Sequence, residues 1–320
     1  HTLAPVTFWG GRYVGDFSDA REVNLAISTT TCKKEEFITG NAKILKSALL
    51  DSDTDIARHL FMNIVDNGRT LKREDFPADD RIRLFPNKNV GGSGGFARGM
   101  LETLHQKENV THVLLMDDDI LIQPEAIYRT YILLKHLKKE YQKCFVSGAM
   151  LHLENASIQK EDVGVLTAEG FFMPLKKEFN QEYLWDNLKN EQEYPLPAHT
   201  YAAWWYCCIP TETIKEQGLP MPIFVRGDDV EYGLRCNPGF ITMNGICVWH
   251  MGFAGKFNVG MDHYQVNRNL LINQAVTGLI DDVNVIRKTQ LDFRKHILRL
   301  DYDSAEIALR ALEDYLKGPD

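Results

Sequence analysis

Short apolar runs recur along the chain from Val23 onward, and longer stretches whose apolar positions return every three or four residues lie between them. The runs 23–28, 61–65, 82–85, 112–116 and 145–149 have the length and content of buried strands. The stretches 41–50, 94–105 and 124–137 read as helices, and Pro124 suits a first helical turn, where its missing N–H is no loss. Strand and helix in alternation predict an α/β fold with a mostly parallel sheet covered on both faces. Ligands of such sheets gather at the carboxyl ends of the strands.

The alternation stops at about Glu154, and a polar, acidic, aromatic-dotted insertion runs to Pro197. Apolar strands are expected again at 202–209 and 245–249. From Tyr264 the tail reads as helical. Its last helix is expected to start near Ser304, to carry Ile307, Ala308, Ala311, Leu312 and Tyr315 on one face, and to stop at Gly318-Pro319. The first residues, with Phe8-Trp9-Gly10-Gly11-Arg12-Tyr13, have no period and suit a remnant of a preceding β domain or a linker. Three parts are therefore expected: 1–22, a main domain over 23–260, and a C-terminal helical region over 261–320. No internal repeat or low-complexity segment interrupts them.

Composition narrows the function classes. Of 320 residues, 44% are hydrophobic and 25% charged, as in ordinary globular domains. The formal charge of −8 argues against a nucleic-acid partner, which needs a basic surface to displace counterions. It still admits an anionic substrate held through a metal ion. No apolar run approaches the length of a membrane span, and no basic n-region with an apolar core opens the chain. The chain starts with His1, not Met, so native termini are expected beyond it. The six cysteines form no C-x-x-C pair, which suits reduced, buried thiols in a cytoplasmic protein.

Four segments carry candidate chemistry. Asp117-Asp118-Asp119 follows the run 112–116 directly. Adjacent carboxylates repel unless a cation or hydrogen bonds neutralise them, and in extended backbone Asp117 and Asp119 share a side, where they could hold Mg²⁺ or Mn²⁺. The competing reading is a solvated acidic loop. Upstream, Asn89-Val90-Gly91-Gly92-Ser93-Gly94-Gly95 opens a helix and lets backbone approach an anion. Asp228-Asp229-Val230-Glu231 opens another helix, where acids either complement the helix dipole or supply a general base. His250 ends an apolar strand, as a packed residue or as a metal ligand. Trp204 and Trp205, adjacent in sequence, would face opposite sides of a strand, so that one of them could line a cleft.

In this order the segments resemble the inverting glycosyltransferases of family 2, with the GT-A fold, and most closely the bacterial galactofuranosyltransferases, those of the mycobacterial cell wall included. The resemblance rests on Asn89 to Gly99, Asp117 to Ile120, Trp204-Trp205 with Ile209-Pro210, Asp228 to Arg235, and Val248-Trp249-His250-Met251. It implies a Rossmann-like GT-A sheet and a Mn²⁺ or Mg²⁺ ion on Asp117, Asp119 and His250. It also implies Asp229 as catalytic base, and Lys34, Asn67, Asn89, Asp117 and Asp118 around a UDP-sugar donor. Trp204, Trp205, Asp228 and Glu231 would border the acceptor, a glycan or lipid-linked glycan hydroxyl. Cytoplasmic placement with peripheral contact at the inner membrane face, cell-surface polysaccharide synthesis and a homo-oligomer are further implications. Two other readings stay open: an NAD(P)-dependent dehydrogenase, from the fit of Gly92 to Ala97 to a dinucleotide fingerprint, and a catalytically silent carbohydrate-binding protein on the same fold.

Overall fold

The computed structural model describes residues 4–7, 9–10, 14, 17–167, 170–252, 257–278 and 285–318. The opening elements are Leu25–Thr31 (β1), Glu35–Leu45 (α1), Leu60–Asp66 (β2), Ile82–Pro86 (β3) and Gly91–His105 (α2). There follow His112–Met116 (β4), Ile120–Ile122 (β5), Pro124–His136 (α3), Phe145–Ser147 (β6) and Ala149–His152 (β7). The insertion holds Ile158–Glu161 (β8), Gly164–Leu166 (β9), Phe172–Pro174 (β10), Phe179–Asn180 (β11), Leu184–Asn190 (α4) and Thr200–Tyr201 (β12). After it come Cys207–Pro210 (β13), Thr211–Gln217 (α5), Asp228–Cys236 (α6), Phe240–Ile241 (β14) and Cys247–His250 (β15). Val266–Thr277 (α7), Val285–Leu298 (α8) and Tyr302–Lys317 (α9) complete the order.

The main sheet runs β14-β6-β13-β4-β1-β2-β3. β4, β1, β2 and β3 are parallel, as the alternation predicts, while β13 lies antiparallel between β4 and β6. β1 and β4 are buried almost throughout, so their apolar runs face covered surfaces on both sides. α2 lies hard on β1. A Cβ on Gly99 would stand 1.8 Å from the Ser28 Oγ, and one on Gly95 would stand 2.1 Å from a Thr30 side-chain carbon, so only glycine permits this approach.

A second sheet, β11-β8-β7-β15-β5, adjoins the first. The chain passes into it twice. β4 gives way to β5 across Asp117-Asp118-Asp119, and β6 gives way to β7 across Gly148, where any Cβ would strike the Tyr206 ring. The single strand expected at 145–149 is therefore broken in two.

Other expectations need correction. The strand expected at 202–209 is confined to Cys207–Pro210. Residues 202–206 turn instead, and Trp204 and Trp205 fill different core clusters. The helix expected at 41–50 begins at Glu35 and ends in a wider π-wound turn over Lys46–Leu50. The polar insertion pairs β8 with β7, and β9 with β10 and β12. The last helix begins at Tyr302, with Asp301 accepting the Ser304 N–H as its cap, and buries Ala305, Ala308 and Ala311. Cys207 and Cys208 are buried, whereas Cys32 is exposed. Phe8, Gly11, Arg12 and Tyr13 of the N-terminal segment, and Pro319, lie outside the described residues. No helix among the described residues is long and apolar enough to cross a membrane.

Candidate active site

The carboxyl ends of β1, β2 and β4 open onto a cleft of about 840 Å³, within the size range of small-molecule sites. On its floor, three side chains from distant parts of the sequence converge. Ile120 on β5 pairs with His250 on β15 in antiparallel register, which sets the histidine beside the preceding aspartates. His250 Nε2 stands 3.2 Å from an Asp119 carboxylate oxygen and 3.9 Å from one of Asp117. One ligand atom from each of the three lies within 4.8 Å of the others. The acidic run is thus no solvated loop: Asp119 is mostly covered and His250 is buried.

A wall of the cleft is built by two backbone segments pressed together. Gly91 opens α2 at a φ of +71°, and a Cβ there would lie 2.0 Å from the Phe224 carbonyl oxygen. Ser93 donates its N–H to that same carbonyl at 3.1 Å and its hydroxyl to the Met221 carbonyl. Phe224, Arg226 and Gly227 all take left-handed backbone, with φ of 73°, 70° and 81°. Two of these are non-glycine, a conformation that persists only when the surroundings hold it. Asn269 and Asn273 of α7 supply that hold: the Asn269 amide donates to the carbonyls of Ile223, Val225 and Arg226, and the Asn273 amide to that of Gly227. The segment then delivers Asp228 and Asp229 into the cleft on the first turn of α6.

Burial governs the protonation of this site. Withdrawal from water pushes the carboxyl of Asp117 up, with the neighbouring aspartates adding to the rise and His250 opposing it. Asp228 and Asp229 are also raised, chiefly by burial; for Asp229 the Val230 N–H and the Arg226 charge pull the other way. Burial likewise raises Glu161 on β8 to about 7, and the Asp229 charge contributes. The cleft therefore gathers carboxylates whose charges oppose one another, an arrangement typical of sites that bind a cation or move a proton.

The remaining expected residues divide. Asp118 accepts the Cys32 N–H at 3.4 Å, and Lys34 reaches Asp119 at 3.7 Å on the cleft rim. Asn67 lines the cleft while donating to the Gly91 carbonyl and accepting from Asn87, so it also braces the glycine segment. Asn89 accepts the Gly91 N–H. Trp204 packs edge-on against Phe96 and Tyr232, and Trp205 donates its indole N–H to the Gly148 carbonyl; both fill core while touching the cleft wall. Asp228 is buried, 3.3 Å from where a Gly92 Cβ would stand. Glu231, expected at the acceptor, is wholly buried instead. It pairs with Arg235 one turn along α6 and accepts the Met221 N–H at 3.1 Å, so it braces the loop and does not line the cleft.

Sequence reasoning missed Glu161 and Tyr201, which line the cleft from the insertion, and the two α7 amides. Only the acidic Glu161 carried any signal, and it sits where no period frames it. The fingerprint that suggested a dinucleotide lies inside α2 after a third strand, and its acidic partner Asp117 faces Asp119 and His250.

Two carboxylates and an imidazole converging on one point fit a divalent cation of the Mg²⁺ or Mn²⁺ type, whose charge would relieve the repulsion that raises Asp117. Comparison with known proteins shows the family. The family model described as "Glycosyltransferase like family 2" matches residues 42–243. Galactofuranosyltransferase GlfT2 of Mycolicibacterium smegmatis is 31% identical over 300 residues, covering 85% of this chain and 45% of the relative. The enzyme of that name from Mycobacterium tuberculosis is 29% identical over 279 residues, covering 80% and 43%. The chain thus spans less than half the length of either relative. Among solved structures, GalNAc-T7 with UDP, GalNAc and Mn²⁺ superposes with a TM-score of 0.52 at 10% identity, over 79% of this chain and 48% of that one. The sheet order and this likeness give the GT-A architecture.

Proposed function

Because the chain belongs to the family 2 glycosyltransferases, we propose that it transfers a galactofuranosyl group from its UDP donor to a hydroxyl of a glycan acceptor, with inversion at the anomeric carbon. The observation that carries this reading is the convergence of Asp117, Asp119 and His250 on the floor of the cleft that also receives Asp229. An Mn²⁺ or Mg²⁺ ion held by those three side chains would neutralise the diphosphate of the donor. The glycine segment and Asn67, Asn89 and Lys34 line the same cleft and would border the nucleotide.

Asp229 accepts the proton of the acceptor hydroxyl as that oxygen bonds to the anomeric carbon. The bond from that carbon to the phosphate oxygen breaks on the opposite face, and UDP leaves with its electron pair. Burial keeps the Asp229 carboxylate basic enough for this task, while the helix start and Arg226 keep it available in its charged form. Trp204, Trp205 and Glu161, which also line the cleft, would border the acceptor. The choice of galactofuranose is supported by the names of the two mycobacterial relatives. A lipid-linked acceptor would bring the enzyme to the inner face of a membrane, and the exposed Leu184, Trp185 and Leu188 of α4 fit peripheral contact there.

The test is UDP release from a panel of UDP-sugars, with and without Mn²⁺, in the presence of a galactan-type acceptor. Metal-dependent release selective for UDP-galactofuranose is expected. Stabilisation of the fold by NADH but not by UDP with Mn²⁺ would instead support the dehydrogenase reading.

A further inference from the structure

A second cluster of metal-ligating side chains lies in the C-terminal helices, apart from the three cleft ligands. His263 belongs to a π-wound turn at Gly260–Gln265, His296 to the last turn of α8, and Asp301 to the cap of α9. One ligand atom from each lies within 4.8 Å of the other two. The geometry points to a site for a transition-metal ion of the Zn²⁺ class, held by His263, His296 and Asp301.

Three observations support the assignment. His296 is 7% exposed, and its Nδ1 has no hydrogen-bond partner; the nearest carboxylate oxygen, of Asp301, stands 3.6 Å away, beyond hydrogen-bond reach. A buried ring nitrogen left so costs free energy unless something binds it. Asp301 is divided in use: one oxygen accepts the Ser304 N–H as helix cap, which leaves the other turned toward His296. The backbone fixes this spacing, since the Asp301 N–H returns to the His296 carbonyl at 3.0 Å. The His263 and His296 rings meet edge-on with centroids 4.4 Å apart, which sets both imidazoles beside the Asp301 carboxylate.

The donor set decides the class of ion. Two imidazoles and one carboxylate suit Zn²⁺ and its neighbours, whereas Mg²⁺ and Ca²⁺ favour all-oxygen shells. A cavity of about 300 Å³ adjoins the cluster and leaves room for water as a fourth ligand. Lys295 and Arg299 also line it, and Asp262 and Asp292 with Asp301 outnumber them, so the wall keeps a net negative charge with neutral histidines. Asp262 lines the catalytic cleft as well, so an ion here would tie α8 and α9 to the rim of that cleft.

The experiment titrates the full chain, stripped by a chelator and dialysed, with Zn²⁺ by calorimetry and with Co²⁺ by visible absorption. Wild type is compared with Asp301→Asn, which retains a capping side chain, and with His296→Gln. Each variant is expected to bind one equivalent fewer than wild type, or to bind it at least about tenfold more weakly, and to show a smaller Zn²⁺-dependent rise in Tm than wild type. Because the readout is a difference of one equivalent, it holds whether or not the cleft site also takes the ion, so its failure is separable from failure of the transferase reading. Zn²⁺ stoichiometry and affinity equal to wild type in both variants would overturn the assignment. So would a wild-type chain whose Tm and Co²⁺ spectrum do not respond.

Discussion

The side-chain amide of Asn269 donates to the Arg226 carbonyl at 2.8 Å, joining the C-terminal helices to the segment that presents Asp229. The same amide reaches the carbonyls of Val225 and Ile223, so one side chain holds a left-handed stretch of backbone in place. Asn269→Ala is expected to leave those carbonyls without this donor, at about 1–3 kcal/mol in stability. It should lower kcat while Kd for UDP with Mn²⁺ changes little. Denaturant melts and steady-state kinetics check both parts. An unchanged kcat would show that the loop keeps its shape without the amide.

Asp229→Asn retains shape but removes the proton acceptor. Transfer should fall by about 10²–10⁴-fold, with UDP affinity within a few fold of wild type. Near-full transfer in this variant would remove Asp229 from the base role.

Chelation should stop UDP release, and Mn²⁺ should restore it. His250→Ala should raise the Mn²⁺ concentration needed for half-maximal rate by at least about tenfold, whereas Asp118→Asn should have the smaller effect, because Asp118 lies outside the ligand cluster. Equal metal requirements in wild type and His250→Ala would place the ion elsewhere.

Glu161 gives a signed pH dependence. Its folded-state pKa is raised from 4.5 to about 7 by burial first and by Asp229 and Asp162 next. The native state therefore holds a proton that the unfolded state has released, and this group lowers stability as pH rises from about 4.5 through 7. Glu161→Gln should remove that slope, so the Tm of the variant should gain on wild type across this interval. Parallel Tm-against-pH curves for the two proteins would contradict it.

Two glycines in helices should respond oppositely to alanine. Gly40 in α1 has open space around its Cβ position, and Gly40→Ala should stabilise by about 0.5–1 kcal/mol. Gly99→Ala would press against Ser28 and should cost about 1–3 kcal/mol. Urea melts of both variants provide the comparison.

Periodicity gave β4 to the residue, because His112–Met116 is apolar and ends abruptly in charge. It placed the end of β1 too early, since Thr29 to Thr31 continue the strand into the cleft with hydroxyl side chains that read as loop. Asp117 and Asp119 were legible as a candidate cation pair because acids after an apolar strand fall where parallel sheets collect ligands, whereas His250 joined them only through the family resemblance. Glu231 was misread because its neighbours carry the chemistry, while its own partner, Arg235, is a helical turn away and invisible to a motif. Asn269 and Asn273 left no trace, since amides in a helix look like solvated surface until the loop they grip is seen.

The aspartates leave the end of one sheet and the histidine ends a strand of the other, so the cleft cation would sit on the seam between two β layers. An ion in that seam would rivet sheets otherwise joined by packing and by the short crossovers at Asp117-Asp118-Asp119 and Gly148. Loading the ion should therefore slow amide exchange on both flanks at once, in β4 and in β15.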